Sequence, residues 1–345
     1  MTLRPEEHIA PPTPAYGNGR YALLDLARAG AITLLLLSHI GERVGSPLGR
    51  FFAFGGLYHT NLAGIVVTIF LFLSGITLEL RYRNNNHGYL EFLLKRCLRI
   101  YPVYYIALFI GVLAYVGTTF LKTGDLQLPS LGPSDTILLA TGFYAFVGKW
   151  GGPFMPASWF VGLIMVIYLF YPVLSKAIAK APHVAIIVLL AVSLLSRLFL
   201  GRYFCLLLPT RPTDWFPLCR VFEFALGIYS ARMLPVSVWS TLNPSKHGGA
   251  LISFVSRISP SLFLIDAPIW LMVVSLPATG IHPFLVVPLF LLVSVLLSWL
   301  ITTMDLYVPR RRLLSGADRL VQRVLPDPQT SPNVSKPWVR FTAGP

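Results

Sequence analysis

Arg28 and His39 have the residue types and the spacing that suit chemistry. They are eleven positions apart, about three turns of helix, so they project from nearly the same face roughly 16 Å apart along the axis. Both fall in the apolar segment 22–42. A helix crossing hydrocarbon avoids ionisable side chains, and those it keeps usually face the protein interior with a function. The guanidinium, near one membrane surface, suits an anionic ligand. The imidazole, deeper in, is the natural general base for a hydroxyl. Asp25, three residues before Arg28, is close enough to pair with it and is the second candidate catalytic side chain. The competing structural reading is an arginine snorkelling to the interface and a histidine bonded to a neighbouring helix.

Further candidates recur down the chain. Arg96 and Arg99 share a helix face in Lys95-Arg96-Cys97-Leu98-Arg99-Ile100-Tyr101-Pro102. Guanidinium matches phosphate bidentately, so the pair reads either as a clamp for a phosphate-rich ligand, with Arg28 joining it, or as plain membrane anchoring. Arg81 and Arg83 extend the basic patch. Ser74-Gly75, after an apolar run, permits close helix approach. Trp159 and Tyr168 read as an interfacial belt, with Trp159 also able to wall a pocket. Glu223 lies inside an apolar segment and needs a partner, for which Arg220 is the near one. Asp266, deep in another segment and followed by the kinking Pro268, either orients a base or pairs with Arg257.

The elements that position these residues are membrane helices. The 345 residues are 55% hydrophobic and only 12% charged, about half the charge of a soluble domain. Continuous apolar runs exclude a barrel, whose strands alternate. Spans are predicted near 22–42, 58–80, 98–120, 158–175, 182–200, 215–234, 249–276 and 283–304. The piece 135–148 is too short to cross and reads as re-entrant or interfacial. The fold class is therefore all-α, a polytopic bundle of about eight to ten spans. Lysines and arginines concentrate in alternate loops, which predicts both termini on the cytosolic side. The net charge of +14 is then accounted for by basic loops facing anionic lipid, and no nucleic acid partner is expected. A cytosolic tail, 1–20, precedes the membrane domain, 21–309, and a basic, Pro-rich tail, 310–345, follows it. Within that tail 313–325 suits a surface helix. Cys97, Cys205 and Cys219 read as structural, with Cys205 and Cys219 placed to allow pairing.

Taken in order, these blocks resemble the acyltransferase-3 family of integral membrane acyltransferases over roughly residues 20–312. The resemblance rests on Asp25, Arg28 and His39, then Ser74-Gly75, then Arg96, Arg99, Ile100, Tyr101 and Pro102. Trp159, Tyr168 and Pro172 follow, then Glu223, Phe224 and Gly227, and finally Ser259 to Pro268. It implies transfer of an acyl group, usually acetyl, from cytosolic acyl-CoA to a hydroxyl of an extracytoplasmic or lipid-linked carbohydrate. It implies His39 as base, Arg28, Arg96 and Arg99 as acyl-CoA contacts, and acyl-CoA as co-substrate with no bound cofactor or metal. Three departures stand out. Ile164 and Met165 occupy positions that are often acidic, Asp266 replaces a late histidine, and 235–248 is short where two more spans usually fit. These departures favour the alternative, a non-enzymatic transporter or a glycan- or lipid-binding membrane protein on the same scaffold. A scaffold for other envelope enzymes is a third reading.

Overall fold

Apolar runs of this length fold as helices in a membrane because every backbone polar group must be satisfied within its own segment. The computed structural model describes residues 22–44, 62–83, 88–148, 151–200, 212–235, 238–239, 246–275 and 285–308, which form helices joined by turns and loops, with no strand among them. The helices are α1 (Ala22–Val44), α2 (Leu62–Tyr82), α3 (Tyr89–Thr123), α4 (Pro133–Thr141), α5 (Ser158–Lys180), α6 (Pro182–Phe199), α7 (Pro212–Trp215), α8 (Pro217–Met233), α9 (Lys246–Val274) and α10 (Val286–Leu306). Both tails, 1–20 and 310–345, and Cys205 lie outside the described residues, while Cys97 and Cys219 are free thiols.

Seven of these helices are long and apolar enough to cross a membrane: α1, α2, α3, α5, α6, α9 and α10. The predicted span 215–234 is the exception. It forms α8, only 17 residues long, and holds Arg220, Glu223 and Arg232. The predicted start of the third span also shifts. α3 begins at Tyr89 and runs for 35 residues, about 52 Å, well beyond the hydrocarbon thickness. Charge marks where a span leaves hydrocarbon, not where a helix stops, and an ion pair between Glu91 and Lys95 one turn apart supports the added turns. The short piece 135–148 forms the nine-residue α4 followed by a 3₁₀ turn, Tyr144–Val147. Gly142 ends α4 with φ 79°, a left-handed conformation that costs glycine nothing.

Lipid tails are as apolar as leucine, so helix association here depends on close packing and polar contacts. α2 and α8 supply the closest approach. A Cβ added to Gly75 would lie 2.1 Å from the Phe224 carbonyl oxygen, and one on Gly227 would lie 2.1 Å from that of Phe72. α6 turns Val184, Ile187, Leu195 and Leu198 outward, as a lipid-facing helix should.

A buried ion pair ties α2, α5 and α8 together. Glu79 is fully buried and lies 2.6 Å from Arg232 Nη2. Tyr171 and Ser175 donate to its other oxygen at 3.0 and 2.9 Å. Breaking such a pair strands a charge in low dielectric. Glu79→Ala is therefore expected to cost about 3–5 kcal/mol, seen as a lowered midpoint in thermal unfolding of the detergent-solubilised protein. Glu79→Gln, which keeps the hydrogen-bonding shape, should cost less.

Candidate functional site

The direction of each helix follows from its contacts. Arg28 on α1 reaches Thr77 near the end of α2, so the start of α1 lies beside the end of α2. Ser256 bonds Asp25 and His39 bonds Asp266, so α9 runs parallel to α1. Ser74 meets Tyr168 and Glu79 meets Tyr171 and Ser175, so α5 runs parallel to α2. Ser261 meets Thr302 and the Trp270 ring meets Phe290, so α10 runs antiparallel to α9. Arg28, Arg81, Lys95, Arg96, Arg99 and Arg257 consequently converge at one end of the bundle.

They line a cavity of about 610 Å³. Six cations and a single carboxylate, Asp305, stand on its wall. Arg28 is held from two sides, with Nη1 3.4 Å from Asp25 and Nη2 donating to Thr77 Oγ1 at 2.7 Å. Ser256 donates to the same Asp25 carboxylate at 2.7 Å. Arg96 is 5% exposed. Its Nη2 donates to Tyr82 at 2.7 Å, its guanidinium lies 5.0 Å from the Tyr82 ring centre, and its buried Nε has no hydrogen-bond partner among the described residues. Arg99, one turn on, is exposed on the same wall. Further along, Ser74 and Tyr168 join their hydroxyls at 2.7 Å on the wall.

The opposite end of the cavity is apolar, walled by Phe70, Val103, Phe160, Phe263 and Leu264. From Arg81 to Phe70 is eleven residues of α2, roughly 16 Å. The Phe263 ring packs 5.9 Å from Phe70 and 5.0 Å from Phe160. One turn beyond Phe263, Asp266 is 1% exposed and bonds His39 Nδ1.

Set against the sequence expectations, the three arginines Arg28, Arg96 and Arg99 meet on one wall. The expectation that His39 shares that cavity with Arg28 is corrected: His39 and Asp266 are not among the residues that line it, although Phe263, one turn before Asp266, is. Asp25, expected beside His39 in catalysis, is fourteen residues away on α1, about 21 Å, and holds Arg28. Of the two partners open to Asp266, His39 takes the place and Arg257 lies on the cavity wall. Trp159 is buried with its ring 6.0 Å from Phe160, behind the wall and not on it. Glu223 pairs with Arg220 at 3.4 Å and with Arg197 at 2.6 Å. Arg220 is 1% exposed and also bonds Asp214 and Thr68, so this network braces α2, α6, α7 and α8 away from the cavity. Glu79, Arg197 and the three phenylalanines were not singled out from sequence. An ionisable residue inside a predicted span was the available signal for the first two. Phenylalanine in an apolar run carries none.

One comparison with known proteins shows the family. The acyltransferase-3 profile, described as “Acyltransferase domain”, matches residues 21–237. The matched segment covers α1 to α8 and stops short of residue 312, where the sequence resemblance ended. α9 and α10, which carry Arg257, Phe263, Asp266 and Asp305, lie beyond it. No curated protein and no solved structure matches the chain. With more than half of its length matched, and with a polytopic helical bundle around a cation-lined cavity, the chain belongs to the acyltransferase-3 family of membrane acyltransferases.

Proposed function

We propose that the protein is an acyl-CoA-dependent O-acyltransferase that acylates a hydroxyl of an extracytoplasmic or lipid-linked carbohydrate. The observation that carries this reading is the convergence of Arg28, Arg96 and Arg99, from two helices, on one cavity wall. Six cations against three carboxylates, Asp25 at Arg28, Glu91 at Lys95 and Asp305 on the wall, leave a positive excess that suits a ligand bearing several phosphates, and the apolar far end suits the thioester end of its pantetheine arm. The positive-inside rule puts the cationic end in the cytosol, where acyl-CoA is found. A cell membrane location and two cytosolic termini belong to this reading, the termini on the condition that α8 also crosses.

Asp266 supports the chemistry. A carboxylate accepts the Nδ1 proton, which leaves Nε2 of His39 to act as base. The acceptor hydroxyl gives its proton to Nε2 as its oxygen attacks the thioester carbonyl. A C–O bond forms, the C–S bond breaks, and the departing CoA sulfur takes the proton back from His39. Arg28, Arg96 and Arg99 hold the donor's phosphates; Asp25 and Thr77 hold Arg28.

Binding of CoA to the purified full chain tests this reading. Arg99→Ala is expected to weaken CoA binding about tenfold, a charge-assisted hydrogen bond being worth roughly 1.5–3 kcal/mol. Binding should also weaken as salt rises. Absence of any CoA binding by the unaltered protein, or equal binding by Arg28→Ala, Arg99→Ala and the double variant, would remove the basis of the donor assignment.

A further inference from the structure

We infer that Phe263, wedged between Phe70 and Phe160, is the floor of the donor cavity and restricts the transferred group to short, neutral acyl chains. The inference rests on the acyl-CoA reading above and adds to it the residue that selects the acyl group.

Three observations meet at this side chain. First, Phe263 lines the cavity six residues, about 9 Å, along α9 from Arg257, and it is 7% exposed. Second, it is braced on both sides: Phe70 meets it edge-on at 5.9 Å and an interplanar angle of 75°, and Phe160 tilts against it at 5.0 Å. Phe160 in turn rests edge-on against Trp159. Aromatic rings packed in this way have little room to yield. Third, Phe263 precedes Asp266 by three residues, one turn of α9 and roughly 4.5 Å of rise, and Asp266 holds His39. Phe263 therefore lines the cavity one helical turn short of the residue that holds the base.

Placement of the thioester follows. A donor whose phosphates engage Arg28, Arg96 and Arg99 runs along the wall past Ser74 and Tyr168 to the phenylalanines. Its carbonyl must come up to His39, so whatever the carbonyl carries must fit around Phe263. An acetyl group adds one methyl. Each further methylene adds volume against three rings that are already in contact. Discrimination of one methylene in an apolar pocket is worth about 10- to 200-fold.

The floor also selects against charge. The wall there is Phe70, Val103, Phe160, Phe263 and Leu264, and the polar side chains nearest along the helices, Ser74 and Ser261, are uncharged. A dicarboxylic acyl group would bring an unpaired carboxylate into this region, which is costly. The cations that would compensate it lie at the other end and are engaged by the donor's phosphates.

The test measures binding of CoA, acetyl-CoA, butyryl-CoA and hexanoyl-CoA to the purified full chain in lipid nanodiscs by calorimetry. The unaltered protein is expected to bind acetyl-CoA at least about tenfold more tightly than hexanoyl-CoA. In Phe263→Ala that ratio should fall at least about tenfold while affinity for CoA itself is kept. Phe263→Leu, which retains an apolar body in the core, should fall in between and serves if the alanine variant is unstable. Phe70→Leu should move the ratio in the same direction. If CoA binds normally but the acetyl-to-hexanoyl ratio is the same in the protein and all three variants, the floor is refuted and the donor reading stands. If the unaltered protein binds neither CoA nor any acyl-CoA, both fall together.

Discussion

His39→Ala is expected to lower acyl transfer about 10²- to 10⁴-fold, the range over which a positioned general base accelerates a reaction. CoA binding should survive, because the arginines proposed to carry it line the cavity and His39 does not. His39 is joined to Asp266 through Nδ1, and the two come from helices 227 positions apart in sequence. The consequence of that bond is a second, separable expectation. Asp266→Asn keeps the size of the side chain but can no longer hold the protonated Nδ1 as a carboxylate does. Transfer should fall about 10²-fold or more through kcat, with the donor affinity unchanged. Asp266→Glu should restore part of the loss, which a merely space-filling role would not do. Transfer of radiolabelled acetyl from acetyl-CoA to envelope carbohydrate, in membranes carrying each variant, is the measurement. Full transfer in His39→Ala with normal protein levels would exclude this histidine as the base. Loss of CoA binding together with transfer would mean that the bundle had been disturbed and not the chemistry alone.

Gly75→Val should produce the largest structural effect. A Cβ at Gly75 meets the Phe224 carbonyl oxygen at 2.1 Å, the Ile228 amide nitrogen at 3.1 Å and the Gly227 Cα at 3.2 Å. All three are backbone atoms of α8, so no side chain can rotate aside. Relief requires the two helices to separate, and separation pulls on the Glu79–Arg232 pair and on the Arg220 network that the same helices support. The expected cost is about 3 kcal/mol or more, the upper range for overpacked cores. Gly227→Val should behave alike, since its Cβ meets the Phe72 carbonyl oxygen at 2.1 Å. Gly117→Ala is the control: nothing lies within 4 Å of its Cβ, and no loss is expected. Thermal unfolding followed by size-exclusion monodispersity reads all three. A Gly75→Val protein as stable as the unaltered one would mean that α2 and α8 do not pack at this distance.

The donor side of the site was legible early because it is built from residues that are conspicuous in a line of text. Arg28, Arg96 and Arg99 interrupt apolar runs, and their membrane ends follow from loop charge. Glu223 and Asp266 were visible for the same reason. Their partners were not. Arg220, three residues from Glu223, was within reach of a sequence argument. Arg197, on another helix and nearer at 2.6 Å, was not. Asp25 is close to His39 in sequence, yet Asp266 holds the ring.

The helical class, the approximate position of the spans and the identity of the ionisable outliers were set by the sequence alone, because apolar length and charge are properties of consecutive residues. Tertiary structure decided which carboxylate meets His39, which helices contribute to the cavity and that three phenylalanines line it. Those outcomes depend on how each helix is rotated and which neighbour it meets, and helices joined across hundreds of residues carry no local record of that choice.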